Sequence, residues 1–271
     1  MAETILEARG VTVRFGGVTA VSDASFEVRR GETFAIIGPN GAGKTTLFNC
    51  LSGLVRFTGD IGFEGRSLAG RRADEISRLG IARTFQNLGL FTSMTVLDNV
   101  LVGRTPQIRS GVLAGLVWWG RARRQDVLAR REAYEVLDLM GLTHLAHERV
   151  SGLPYGTRKR VELAKAAASS PRLLLLDEPV AGMNHSETDA LMDQVDRLKE
   201  ALDLTVILIE HDTFLVMDVA DRVLALNFGV PIACGTPAQV QADERVIEAY
   251  LGRAAEGPPS AALAPAGEVP A

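Results

Sequence analysis

The run TFAIIGPNGAGKTTLF, residues 33–48, constrains the fold of this chain more than any other stretch. TFAIIG is a short apolar run ending in Gly, the pattern of a buried strand. Residues 43–52 suit a helix. Between the two, Gly38-Pro39-Asn40-Gly41-Ala42-Gly43-Lys44-Thr45 fits G-x-x-x-x-G-K-[ST] in full. In that order of strand, loop and helix, glycines let successive backbone N–H groups curl around phosphate oxygens, and the helix presents its positive end to the same anion. Residues Gly38 to Thr46 are therefore candidate ligands of a nucleotide such as ATP. Lys44 is the counter-charge for the β- and γ-phosphates, and the Thr45 hydroxyl is a candidate Mg²⁺ ligand.

The remaining pattern supplies a sheet for that loop. ILEARGVTVRF and ASFEVRR alternate loosely and end at Gly-Gly and Arg-Gly-Glu, as short strands do. VRFTGDIGFEGR predicts a hairpin around Thr58-Gly59-Asp60, and RVLALNFGVPIACG one around Phe228-Gly229. RLLLLDE (172–178) and LTVILIE (204–210) are β-rich apolar runs separated by a helical segment at 187–202. Strands alternating with helices imply a parallel sheet covered on both faces. From about Met94 to Ala168 the pattern is helical, clearest in ARRQDVLARREAYEVLDLMG. Val127, Tyr134, Leu137 and Leu139 are its apolar positions and Gly141 its stop. The expected organisation is an α/β core, 1–93 plus 169–253, interrupted by a helical lobe, 94–168. The last eighteen residues, 254–271, contain thirteen Ala, Pro or Gly, a composition expected to stay disordered.

Two acids follow the leucines of LLLLDEP. A buried strand there delivers Asp177 and Glu178 to the carboxyl edge of the sheet, where ligands collect in open α/β folds. Beside the phosphate loop, Asp177 is a candidate for the Mg²⁺ shell and Glu178 for the general base that polarises an attacking water. Alone, such a pair is more often a solvated strand end. His211 after LTVILIE, Gln86 in ARTFQN and Phe15 before Gly-Gly are each weak singly; their order around the loop carries the weight.

Bulk properties exclude several classes. With 29 basic against 33 acidic residues the net charge is −4, not the basic footprint of a general nucleic-acid binder. Cys50 and Cys234 are the only cysteines, too few for a disulfide framework and in keeping with a reducing cytosol. MAETILEARG lacks the basic-then-apolar pattern of a secretory signal, and the apolar GVLAGLVWW (111–119) is too short to span a bilayer.

Taken in order, these motifs resemble those of the nucleotide-binding subunits of ABC transporters from residue 5 to 253. An aromatic for adenine falls on Phe15 and the phosphate loop on 38–45. The glutamine loop falls on Gln86, the signature on 153–157, the acidic strand on Asp177-Glu178, the dimer loop on 181–184 and the switch histidine on His211. FGGVTAVSDASFEV, LPYG, DEPVAGMN and VIEAYLG are similar to the ATPases of branched-chain amino-acid (Liv-type) importers; urea or short-amide importers and lipopolysaccharide exporters have related ATPases. The resemblance implies a P-loop NTPase (RecA-like) core with an N-terminal antiparallel β subdomain and an inserted α-helical subdomain.

It also implies ATP hydrolysis, with Glu178, His211 and Gln86 in catalytic roles and Thr45, Gln86 and Asp177 around Mg²⁺. Phe15 would stack on the base, while Leu153, Pro154, Tyr155 and Gly156 would act in trans on the nucleotide of a partner. That partner is a second ATP-binding subunit, identical or homologous, docked head to tail. Two transmembrane permeases and an extracytoplasmic solute-binding protein complete the assembly, placing this chain on the cytoplasmic face of the inner membrane. Chromosome-maintenance or translation ATPases of the same superfamily carry long coiled coils or two cassettes, and this chain has one phosphate loop and no heptad run. A small-molecule kinase has no use for the signature, Gln86 and His211 in order.

Two departures stand out. The usual Leu-Ser-Gly-Gly-Gln is here Leu153-Pro154-Tyr155-Gly156-Thr157, without the serine hydroxyl or the glutamine, which predicts weaker hydrolysis at the site this signature completes. The dimer loop Ala181-Gly182-Met183-Asn184 lacks its common Ser and Asp. Trp118 and Trp119 beside Arg121, Arg123 and Arg124 have two readings, contact with permease or membrane headgroups, or the core of the lobe with a solvated basic face.

Overall fold

A computed structural model describes residues 3–84, 88–104 and 121–251. β1 (Thr4–Phe15) and β2 (Val18–Arg29) form a long antiparallel hairpin. Bulges in their pairing reset the alternation, so that Ile5 and Leu6 are both buried although adjacent. β3 (Thr33–Ile37) leads through the phosphate loop into α1 (Lys44–Leu51). β4 (Thr58–Phe63) returns to pair with β1, followed by β5 (Arg66–Ser67), α2 (Ala73–Arg78) and β6 (Ile81–Arg83). Among the described residues, α3 (Val96–Gly103) and α4 (Arg121–Leu139) come next, then α5 (Tyr155–Ala167). The chain re-enters the sheet with β7 (Leu173–Asp177), α6 (His185–Leu202), β8 (Thr205–Ile209), α7 (Thr213–Val219) and β9 (Arg222–Asn227). β10 (Val230–Gly235), α8 (Pro237–Gln241) and α9 (Glu244–Leu251) close it.

The strands build two sheets, a four-stranded one in the order β2-β1-β4-β5 and a six-stranded one in the order β10-β9-β3-β8-β7-β6. β9, β3, β8, β7 and β6 run parallel, with β10 antiparallel at the edge. Every residue of β3, β7 and β8 is buried, as strands covered on both faces must be. Their alternate side chains serve two cores. Phe34, Ile36, Leu173, Leu175, Ile207 and Ile209 pack with α1 and the antiparallel sheet, where Phe26 and Phe34 stack with ring centroids 5.6 Å apart. Ala35, Ile37, Leu174, Leu176, Val206 and Leu208 pack with the helices of the other layer. Among the described residues no helix is long and apolar enough to cross a membrane.

Two local expectations are corrected. The first hairpin does not turn at Thr58-Gly59-Asp60, which lie within β4. It turns at Glu64-Gly65, where φ is +46° and +72°, the consecutive positive values that a tight hairpin turn requires. Gly59 instead lies against the backbone of Arg9 and Gly10, where a Cβ has no room. On α4, Val127 is exposed rather than apolar-facing; the buried stripe is Ala133, Val136, Leu137 and Met140. At about 100° per residue, Val127 lies roughly 120° around the helix from Ala133. The Phe228-Gly229 hairpin forms as expected, with φ +44° and +82°. Gln86, the Trp118–Trp119 pair and the tail from 254 lie outside the described residues.

Candidate active site

The carboxyl ends of β3, β7, β8 and β6 deliver Gly38, Asp177, Glu210 and Thr84 to one edge of the parallel sheet. The phosphate loop is held there from behind. Gly43 has φ +97°, and a Cβ on it would press into the Ala20 carbonyl of β2; one on Gly38, at φ +151°, would press into the Leu226 carbonyl of β9. Ala42 accepts from the Gly229 N–H at 3.0 Å, and Ser22 donates its N–H to the Gly229 carbonyl at 2.8 Å. The β9–β10 turn is thus wedged between β2 and the loop. Lys44 is buried, its Nζ donating to the carbonyls of Gly38 at 2.6 Å and Pro39 at 3.1 Å. Gly43 is the N-cap of α1 and makes no side-chain cap hydrogen bond, and the positive N-terminal end of the helix borders the cavity that Gly43, Lys44, Thr45 and Thr46 line. Cys50, deep in α1, is an inert thiol, pushed up to about 12 by burial.

Across a cavity of about 240 Å³ from Asn40–Thr46 stand Glu178 and His211. His211 Nε2 is 2.5 Å from Glu178 Oε1. Since a carboxylate only accepts, this pairing fixes the proton on Nε2. Glu178 has φ +49°, a left-handed conformation that costs an L-residue about 1–2 kcal/mol. Its N–H is tied to the Ile209 carbonyl at 2.9 Å. Glu210, one residue before His211, is a buried carboxylate that nothing in the sequence pattern singled out. It accepts from the N–H of Val180 at 3.2 Å and of His211 at 3.1 Å, so it staples the loop after Glu178 to the His211 backbone. Burial pushes the Glu210 carboxyl above its ordinary range, against the pull of those two N–H bonds.

Asp177 is almost completely buried, and its Oδ2 is held by Arg83 Nη2 at 2.7 Å. Arg83 Nη1 also donates to Asn49 Oδ1 at 2.7 Å and Ser52 Oγ at 2.8 Å, which binds β6 and β7 to the end of α1. No periodicity or motif spacing in the sequence marks this arginine. A Thr hydroxyl and an Asp carboxylate are all-oxygen donors, a set that suits Mg²⁺ shared with phosphates and water.

The signature residues stand apart from this cavity. Leu153 is buried, Pro154 is the N-cap of α5, and Tyr155 and Gly156 open the helix. They pack on the dimer loop of the same chain. A Cβ on Gly182 would meet the Tyr155 ring at 3.4 Å, and one on Gly156 would meet Glu187 Oε1 at 3.0 Å. Asn184 caps α6 through a reciprocal box with Glu187. Phe15 sits half-exposed at the β1–β2 turn, outside the phosphate cavity. In α9, burial raises the Tyr250 phenol, and a hydrogen bond with the Gly38 backbone offsets part of that rise.

A parallel sheet with a phosphate loop at one strand end and an acid–histidine pair facing it defines a class of P-loop ATPases. Residues 21–181 match the ABC transporter family, and the chain belongs to that family. Residues 230–256 match a second family model, described as branched-chain amino acid ATP-binding cassette transporter. The chain is 42% identical to the high-affinity branched-chain amino acid transport ATP-binding protein LivG of Salmonella typhimurium, over 94% of this chain and all of that protein. Identity and coverage are the same for BraF of Pseudomonas aeruginosa, which carries the same description. Among solved structures, an ATP-binding cassette of an ABC transporter in its ADP conformation superposes with a TM-score of 0.79. It shares 30% identity, over 92% of this chain and 99% of that one.

Proposed function

We propose that this chain is the ATP-hydrolysing subunit of an importer for branched-chain amino acids. The observation that carries the hydrolytic reading is the Glu178–His211 pair, 2.5 Å apart and facing the phosphate loop across one cavity; the match of residues 230–256 to the branched-chain amino acid cassette family supports the solute. In this reading, the loop amides and Lys44 hold the β- and γ-phosphates. Thr45 and Asp177, with Gln86, would hold Mg²⁺, which would neutralise charge on the phosphate oxygens. Glu178 takes the proton of the attacking water at its carboxylate, and His211 Nε2–H keeps that carboxylate turned toward the loop. Phe15 stacks on the base. The segment 153–157 lies away from the cavity of its own chain, which supports its use in trans on the nucleotide of a second ATPase subunit.

The core is 1–93 plus 169–253 and the helical part 94–168. Between them lies a cavity of about 460 Å³ lined by Leu54, Ile76, Ala82, Val102 and Ala166. We assign it to a cytoplasmic segment of a permease, which places the chain peripherally on the inner face of the membrane. The Glu178→Gln variant, purified with its ATPase and permease partners, is expected to bind ATP, hold the dimer closed and lose at least a hundredfold in turnover. Continued turnover would refute the assignment of the base. With the binding protein present, leucine, isoleucine or valine should stimulate ATP hydrolysis in the wild-type assembly. Stimulation by urea or a short amide instead would reassign the solute.

A further inference from the structure

Lys159 lies on α5, four residues after Tyr155, and is 4% exposed. An ammonium so far from water has to be paired. Its Nζ donates to the Glu178 carbonyl oxygen at 3.2 Å. On its other side it lies 5.9 Å from the centroid of the Tyr155 ring, within cation–π range. Tyr155 in turn rests on Gly182. One buried cation therefore touches the signature aromatic and the peptide of Glu178 together.

That peptide is the one in need of support. With φ at +49°, Glu178 keeps its conformation only while neighbours enforce it. The Ile209 carbonyl holds its N–H, and Lys159 holds its carbonyl. The two bonds hold the peptides on either side of the Glu178 Cα, and a change of φ or ψ there would swing Oε1 away from His211 and from the phosphate side of the cavity.

We propose that Lys159 is a positioning residue for Glu178, tying the base of one nucleotide site to the signature helix that completes the other. The proposal rests on the reading of Glu178 as the base and of the signature as acting in trans. When the partner's nucleotide engages Tyr155 and Gly156, the load falls on the helix that carries Lys159, and through it on the Glu178 peptide. Lys159 itself touches no nucleotide.

The test compares wild type, Lys159→Met, Lys159→Gln and Lys159→Arg, each assembled with the ATPase and permease partners. The turnover rate per Glu178 site should fall between about tenfold and a hundredfold in the Met and Gln variants, the range expected for a misplacement of up to 1 Å. MgATP affinity and KM should stay within about twofold, and Arg should recover most of the rate, since its guanidinium keeps a charged donor on the carbonyl. Wild-type turnover in the folded Met and Gln variants would overturn the proposal. So would a rise in KM that accounts for the lost activity. Failure of both neutral variants to fold would make Lys159 a folding residue and equally overturn it. A wild-type assembly that turns ATP over, with Glu178→Gln no slower than it, would instead remove the underlying reading of Glu178.

Discussion

Pro154 stands where a serine or threonine would ordinarily cap α5. Its φ and ψ are −55° and 156°, and its carbonyl accepts the first helical bond, from Arg158 N–H at 3.0 Å. A serine there would gain an N-cap bond worth about 1 kcal/mol. It would also lose the stiffness of proline in the unfolded chain, worth about 0.4–1 kcal/mol. The two nearly cancel, so Pro154→Ser should leave Tm within a few degrees of wild type. Its effect on activity then isolates the hydroxyl. If the signature meets the partner's γ-phosphate, the variant should hydrolyse ATP several-fold faster in the assembled transporter, because a donor is added where charge develops. An unchanged ATPase rate at unchanged Tm would show that the backbone N–H groups of the helix start suffice.

At the scale of elements, the phosphate loop owes its position to a hairpin far away in sequence. The Gly229 N–H and carbonyl join Ala42 to Ser22, and a Cβ on Gly229 would lie 2.7 Å from the Ala20 carbonyl. With φ at +82° as well, Gly229→Ala should destabilise the fold by about 1–3 kcal/mol. It should also weaken nucleotide binding, although residue 229 is absent from the cavity lining. A thermal melt and an ATP titration read both effects; a destabilised variant with wild-type affinity would show the loop to be held by β2 alone. This dependence was not legible in the sequence, which marked Phe228-Gly229 only as a turn. What was legible was whatever repeats with a period or fits a spacing: the buried parallel strands, the phosphate loop, Glu178 and His211 at strand ends. Arg83, Lys159 and Glu210 escaped because each is a single polar residue with no periodicity, made meaningful only by what the fold sets against it. Glu210 left the one usable trace, a carboxylate adjoining the histidine directly after the four apolar strand residues Val206–Ile209. Thr58-Gly59-Asp60 misled for the converse reason: its turn-like composition serves close approach of two backbones.

Over the whole molecule, one buried ion pair joins the apolar groove to the sheet edge that carries Asp177. Arg83 borders the groove, and its guanidinium holds Asp177 at the sheet edge. The groove is walled by the turn after α1 and by α2 on one side and by α3 and α5 on the other, whose close approach places Gly103 against the Lys165 carbonyl. An apolar hollow between two parts of a molecule suits an apolar side chain of a partner. Leu54 offers the cleanest probe, because it is 54% exposed and follows α1 without entering either core. A charge there leaves the fold within about 0.5 kcal/mol of wild type, as surface changes usually do. Leu54→Glu should therefore bind ATP normally as an isolated chain yet fail to co-purify with the permeases, since a carboxylate in the seated groove would be desolvated without a partner. Retention of the permeases at wild-type stoichiometry would place their docking surface elsewhere. Loss of ATP affinity in the isolated chain would instead mean that the groove wall and the nucleotide loop move as one body.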